Sequence, residues 1–579
     1  MQQLLKYFKP YILWLIVLII FIWGQAYVNL ALPDYMSKII TDGIVKKDLA
    51  VVWSNGGQML LLTLFGGLCT VIVGFVAARV STGYVHKLRS AVFMQVERFS
   101  LNEFNSFSTS SLITRSTNDM QQIQTVIAMV LRMAFLAPFM GVGSIIKAYQ
   151  LAPSMSWIVL AAIGILVTMI VMLFFVVIPK FTIIQNLVDK LSLQTREMLT
   201  GVRVIRAFNN DNTQQEKFNQ TNLESTRLNI FVNRIMTLLQ PVMTLVMGMA
   251  SLAVVWVGSY VINAGGLQVG SLFALMQYIM QTIMAFLMIS MMFIMVPRAA
   301  VSGRRINEIL ATEPSIVDSP TATTMPEIIR GVVTFDKVYF GYKGSEQQVL
   351  SGISFTAEPG QTTAIIGGTG SGKSTIINLI PRLYDVSGGS IMIDGVDIRD
   401  ISQVKLHSYI GYIPQKASLF SGSVGSNIGY GKPHADDHEL NQAANIAQAK
   451  EFIDDLPKKL NNPVAQSGSN LSGGQKQRLS IARALAKNPQ IYLFDDSFSA
   501  LDFKTDAALR KSLSKEMTKA TLIIVAQRIS TIMQAEKIIV LDEGRIVAVG
   551  THHELLKTSS VYQEIAQSQL STRELKEND

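Results

Sequence analysis

The chain has one cysteine in 579 residues, Cys69, so no disulfide can form within it. Cys69 sits in an apolar stretch and reads as a small buried apolar side chain. Charge is also scarce. Only 16% of residues are Asp, Glu, Lys or Arg and 49% are apolar, against about 25% charged in soluble globular domains. With a mean hydropathy of +0.33, this composition excludes an ordinary soluble enzyme and implies a membrane protein. No continuous Lys/Arg tract or aromatic-basic array accompanies the net charge of +9, so nucleic acid is not an expected partner. Basic residues near membrane ends account for the balance. A cleavable signal is missing too: the first apolar stretch, from Tyr11, is too long for a signal core and lacks a small-residue cleavage site.

What is present are long apolar runs. Six are long enough to cross a bilayer as helices, near 11–33, 57–80, 126–148, 156–179, 236–262 and 270–297. The connections after the second and fourth are about fifty residues and charged, while those after the third and fifth are short. Lys and Arg fall mainly on the side of those long connections: Lys6, Lys9, Lys87, Arg89, Arg98, Lys180, Lys190, Arg196, Arg298, Arg304 and Arg305. On the other side Lys38, Lys46 and Lys47 are balanced by Asp34, Asp42 and Asp48. The positive-inside rule then places both termini in the cytosol, with helical extensions on that face. The expected division is a transmembrane domain over 1–310, a Pro/Ser/Thr-rich linker over 311–327 and a soluble α/β domain over 328–579. Short β-rich runs alternating with helical ones imply a mostly parallel sheet there.

The soluble half carries the chemistry. "GGTGSGKST" runs Gly367, Gly368, Thr369, Gly370, Ser371, Gly372, Lys373, Ser374 and Thr375 between a strand-like and a helix-like segment. Glycines let backbone N–H groups close on phosphate oxygens, Lys373 can reach the outer phosphates, and the Ser374 hydroxyl can ligate Mg²⁺. About 120 residues later the apolar strand "IYLFDD" ends in Asp495, the carboxylate that a magnesium site needs beside such a loop. Between them "LSGGQ" places Ser472, Gly473, Gly474 and Gln475 at the start of a helix, a second potential anion site or a plain N-cap.

In this order "GGTGSGKST", "YIPQ", "LSGGQ", "IYLFDD", "SALD" and "IIVAQR" resemble the nucleotide-binding domain of ATP-binding cassette (ABC) proteins. The six preceding spans resemble a type I (type IV by recent naming) exporter half-transporter. The resemblance implies that Tyr342 stacks on adenine, that Gln415 senses Mg²⁺ and the γ-phosphate, and that Asp495 holds Mg²⁺ through water. It implies that Ser472, Gly473, Gly474 and Gln475 close over ATP bound to an opposite subunit, which Asp502 contacts across the dimer. The segments 104–120 and 201–218 resemble those around the two cytosolic coupling helices. Read without the family, they are charged, solvated helices.

Two positions depart from the family. A Glu normally follows the magnesium Asp as catalytic base; here it is Asp496, shorter by one methylene, or about 1.5 Å. The switch histidine is Gln527, which donates an N–H but cannot become cationic. Gln466 also stands where exporters usually have Glu. The pattern resembles the degenerate-site subunit of heterodimeric bacterial multidrug exporters. It implies a non-identical second half-transporter, ATP and Mg²⁺ as cofactors, residence in the bacterial cell membrane, and export of amphipathic small molecules. Lipid or peptide export, and a regulatory nucleotide-binding role, remain alternatives. In the sixth span Met276, Met280, Met284 and Met288, with Met292, recur every four residues, on a row that packs, faces lipid or contacts substrate.

Overall fold

The structure, a computed structural model, describes residues 2–319, 325–345 and 347–569, so the middle of the 311–327 linker lies outside the described residues. The chain forms two compact units. One comprises residues 1–97 and 110–312, the other 98–109 and 313–579. The short segment 98–109 thus belongs with the C-terminal residues although it lies in sequence among the membrane helices.

The first unit is helical. Among the described residues five helices are long and apolar enough to span a membrane: 6–45, 49–97, 109–151, 211–263 and 269–311. The stretch expected as a fourth span, 156–179, lies within the helix Ser156–Thr200. Most of these helices run past the apolar stretches read from sequence, as extensions on the long-loop side require. Pro33, Pro138, Pro179, Pro241 and Pro297 each lie inside a long helix. In lipid, neighbouring helices and side chains can re-satisfy the backbone groups that proline frees.

One expectation is corrected here. Asp34 was assigned to the first outer connection, but the helix Ile12–Lys38 continues through Pro33 and includes it. Its carboxylate accepts from Lys147 Nζ at 2.6 Å and from the Tyr278 hydroxyl at 2.6 Å, joining three helices. Tyr278 also donates to the Leu30 carbonyl at 3.0 Å, Gln281 donates to the Asn29 carbonyl, and Ser144 and Thr282 share a hydrogen bond at 2.7 Å. These polar side chains beside the methionine row are therefore engaged within the chain. The pair is only partly buried, its side chains 40% and 34% exposed, so the charge left when one partner is removed carries a penalty of about 1 kcal/mol or less, which removing both avoids. Lys147→Met should therefore lower the thermal midpoint of the detergent-solubilised protein further than Lys147→Met combined with Asp34→Asn. A double-mutant cycle checks this; additive losses would refute the coupling.

Among the described residues the second unit carries three sheets, of six, four and two strands. The strands are β1 (Val333–Phe340), β2 (Leu350–Ala357), β3 (Thr362–Gly367), β4 (Gly388–Ile393), β5 (Val396–Asp397), β6 (Ile410–Ile413), β7 (Gly422–Ser423), β8 (Pro463–Val464), β9 (Ile491–Asp495), β10 (Thr521–Val525), β11 (Lys537–Asp542) and β12 (Arg545–Gly550). A six-stranded sheet has the order β12-β11-β3-β10-β9-β6, parallel except at the β11–β12 edge. An antiparallel sheet has the order β2-β1-β4-β5, and β7 pairs with β8. Every residue of β9 and β10 is buried, as strands covered on both faces require. Because β3, β10 and β9 are adjacent and parallel, the loops leaving their C-terminal ends share one edge, where ligands bind in open α/β sheets.

Candidate functional site

The phosphate loop leaves β3 at Gly367, where a Cβ would come 2.1 Å from the Leu541 carbonyl oxygen. At Gly372 the backbone is left-handed (φ +97°) and a Cβ would meet Leu350 at 2.6 Å, so both positions need glycine. Gly368 and Gly370, in contrast, have open space where a Cβ would be, leaving their amides approachable. Lys373 opens the helix Lys373–Leu379 and folds back, donating to the carbonyls of Gly367 at 2.9 Å and Gly368 at 2.7 Å. Burial pushes its pKa down, against the pull of Asp496 and Asp495. Ser371 Oγ is buried and has no hydrogen-bond partner among the described residues. An orphaned hydroxyl beside exposed amides and a buried ammonium fits a phosphate group.

Asp495 ends β9 and accepts from Ser374 Oγ at 2.8 Å. Burial raises its pKa; Asp496 raises it too, while the Ser374 hydrogen bond and Lys373 oppose. A buried carboxylate and a hydroxyl in contact supply hard oxygen donors that fit Mg²⁺, which commonly takes few protein ligands and completes its shell with phosphate and water. When bound, the ion would neutralise charge on the phosphates; Ser374 and Asp495 are the residues that would hold it.

Asp496 sits past the strand in a left-handed conformation (φ +46°), with its N–H bonded to the Val525 carbonyl at 2.9 Å. Its Oδ2 accepts two amides, from Gln415 Nε2 at 3.1 Å and Gln527 Nε2 at 2.9 Å. The structure thus brings together the degenerate base position, the switch position and Gln415 around one oxygen atom. The loop carrying Gln415 is pinned from two sides: Ser497 Oγ donates to the Ile413 carbonyl and Gln477 Nε2 to the Pro414 carbonyl. Sequence reading assigned no role to either residue, although Ser497 follows Asp496 directly and Gln477 stands two residues past Gln475.

Tyr342 is edge-on to Phe340, with its hydroxyl 3.1 Å from Thr375 Oγ1. Ser472 is the N-cap of the helix Gly473–Lys487 and forms a reciprocal capping box with Gln475. Its first helical residue, Gly473, has open space around it. Asp502 caps the helix Phe503–Glu516, both carboxylate oxygens accepting from Thr505, and these bonds hold its pKa down. Among the described residues no hydrogen bond joins 472–475 or Asp502 to the phosphate loop of the same chain. In the other unit Met280 and Met284 are exposed, while Met276 and Met288 are half-buried, Met276 against the helical core.

Residues 350–499 match the family described as ABC transporter, and residues 15–286 match the ABC transporter transmembrane region. An uncharacterized ABC transporter ATP-binding protein of Mycobacterium tuberculosis is 40% identical over 545 residues, 93% of each chain. This chain belongs to the ABC transporters. An ATP-dependent lipid A-core flippase of Desulfotalea psychrophila is 30% identical, over 91% of this chain and 92% of its own length. A solved bacterial Atm1-family ABC exporter with ATP bound superposes with a TM-score of 0.80 at 26% identity, covering 98% of this chain and 99% of that one. Membership brings a helical membrane domain followed by an ATP-binding domain, the half-transporter arrangement of an ATP-driven exporter.

Proposed function

We propose that this chain is one subunit of a heterodimeric exporter in the bacterial cell membrane, both termini cytosolic, moving amphipathic compounds such as drugs out of the cytosol. Its domains are the membrane domain 1–310, the linker 311–327 and the nucleotide domain 328–579. Its own phosphate loop, with Asp496 and Gln527, forms a degenerate ATP site. Its Ser472–Gln475 segment completes the site of a non-identical partner, where most hydrolysis takes place. Asp496 carries this reading: a carboxylate about 1.5 Å short of the usual base, with one oxygen already holding two amides. A misplacement of about 1 Å costs on the order of 100-fold in rate.

The test is direct. The chain purified alone should hydrolyse ATP at least about tenfold more slowly than when co-purified with a second half-transporter bearing Glu and His at the two positions. Equal rates would sink the heterodimer. Lipid export is the second reading, favoured by the flippase relative. Stimulation of the ATPase by phospholipid alone, with no response to amphipathic drugs, would select it.

A further inference from the structure

β10 ends at Val525, and the segment leaving it carries Gln527. Ala526 is still tied to the sheet, its N–H donating to the Ile365 carbonyl at 3.2 Å. A short helix, Ile529–Ile532, then begins with Arg528 at its N-cap and no side-chain cap from that residue. The first N–H groups of a helix need partners from outside it. One partner here comes from about forty residues further along the chain. The Ile529 N–H donates to Gln569 Oε1 at 2.8 Å, and Gln569 Nε2 donates to the Gln527 carbonyl at 2.8 Å. One side-chain amide thus holds the backbone on both sides of Arg528.

The helix Ser560–Gln569 delivers that amide. Its Tyr562 and Ala566 are fully buried, and the Tyr562 hydroxyl lies 2.7 Å from Nδ1 of His552. Gln569 comes seven residues after Tyr562, two turns on and on the same face. Gln569 and Gln527 are both exposed, so neither contributes to the core. Packing therefore does little to aim the Gln527 side chain. Its direction depends on its backbone and on the hydrogen bond it donates to Asp496 Oδ2 at 2.9 Å.

We propose that Gln569 is a positioning residue for the ATP site, keeping the Gln527 amide on Asp496 by fixing the backbone from which that side chain springs. This rests on the nucleotide reading of the phosphate loop. Two bonds to groups two residues apart restrict ψ of Gln527 and both dihedrals of Arg528, which leaves the Gln527 side chain fewer directions in which to turn. With Oδ2 held, the Asp496 carboxylate presents its other oxygen in one orientation. Gln415 bonds to the same oxygen, so releasing Gln527 loosens the carboxylate without freeing it. Arg528 offers a competing route, since its guanidinium reaches the Ser499 carbonyl at 3.5 Å.

Amide hydrogen exchange of residues 496–499 in the full-length, detergent-solubilised chain separates the two routes. Gln569→Ala should speed it about 2- to 12-fold, the range set by the net worth of one neutral hydrogen bond, and Gln527→Ala by a similar factor. The double variant should add nothing further, because Gln569 acts through the Gln527 side chain. Gln569→Glu keeps the acceptor for Ile529 and loses the donor for Gln527, so it should match Gln569→Ala. Exchange of β1, in the four-stranded sheet, should stay unchanged in every variant. The kcat of the purified chain for ATP should fall within the same range, about 2- to 12-fold, in both single variants, with KM moving less than kcat. The proposal falls if the Gln569→Ala effect persists in the Gln527→Ala background, as a route through Arg528 or a general loosening would give. It falls too if Gln569→Glu behaves as wild type, which would make Gln569 a plain helix cap. If the chain binds ATP no more tightly than its Lys373→Ala variant, the nucleotide reading falls, while the exchange result still decides the coupling.

Discussion

In the two-chain complex, Ser472→Arg should lower ATP hydrolysis by at least about 100-fold. Ser472 has two jobs in the structure. Its hydroxyl accepts from the Gln475 N–H, and its own N–H donates to the Gln475 side chain, fixing the start of the helix Gly473–Lys487. Losing a cap of this kind costs about 1 kcal/mol, which lowers stability without stopping a cooperative domain from folding. A Cβ at neighbouring Gly473 would meet nothing within 4 Å, and under the proposed composite site an arginine beside it would occupy the space meant for an opposing phosphate, which gives the larger effect. Removing one preorganised donor from a transition state typically costs about 10²–10³ in rate, and blocking the site removes more than one. ATP binding at this chain's own phosphate loop should persist. Steady-state phosphate release and nucleotide titration on the same sample separate the two outcomes. Retention of more than half the activity would mean that this segment does not serve the productive site.

Lys373→Ala should do the reverse. Its ammonium is buried and held by the carbonyls of Gly367 and Gly368, ready for transfer to phosphate oxygens. Hydrogen bonds to charged groups are each worth about 1.5–3 kcal/mol, so this chain's affinity for ATP should fall about 10- to 150-fold. In the proposed heterodimer, hydrolysis by the complex should fall far less than in Ser472→Arg, because the productive site would use a phosphate loop on the other chain. A symmetric pair would instead lose activity equally in both variants, which makes the comparison decisive between the two architectures.

The elements that position these groups differ in how far sequence exposes them. The phosphate loop is local: glycines, Lys373 and Ser374 lie within one short stretch, and their spacing alone states the chemistry. Asp495 was readable because an apolar run ends at it, and the structure closes its side chain onto Ser374. The environment of Asp496 was not readable from spacing. Gln415 lies 81 residues before it and Gln527 31 residues after, and the pairing of β9 with both β6 and β10 brings the three together. Asp34 misled for a local reason. The apolar run stops at Pro33, so Asp34 falls outside the expected span, whereas the helix continues to Lys38 and Lys147 and Tyr278, far off in sequence, hold its carboxylate.

The two glutamines on Asp496 Oδ2 bear on more than the rate of a missing step. Gln415 and Gln527 are both bonded to a carboxylate oxygen, and Lys373 to two carbonyls of its own loop. A triphosphate that recruits them gains only the difference between new hydrogen bonds and old ones. Phosphate binding at this loop is therefore in part an exchange of partners, with a net gain at the Ser371 hydroxyl, which has no partner among the described residues.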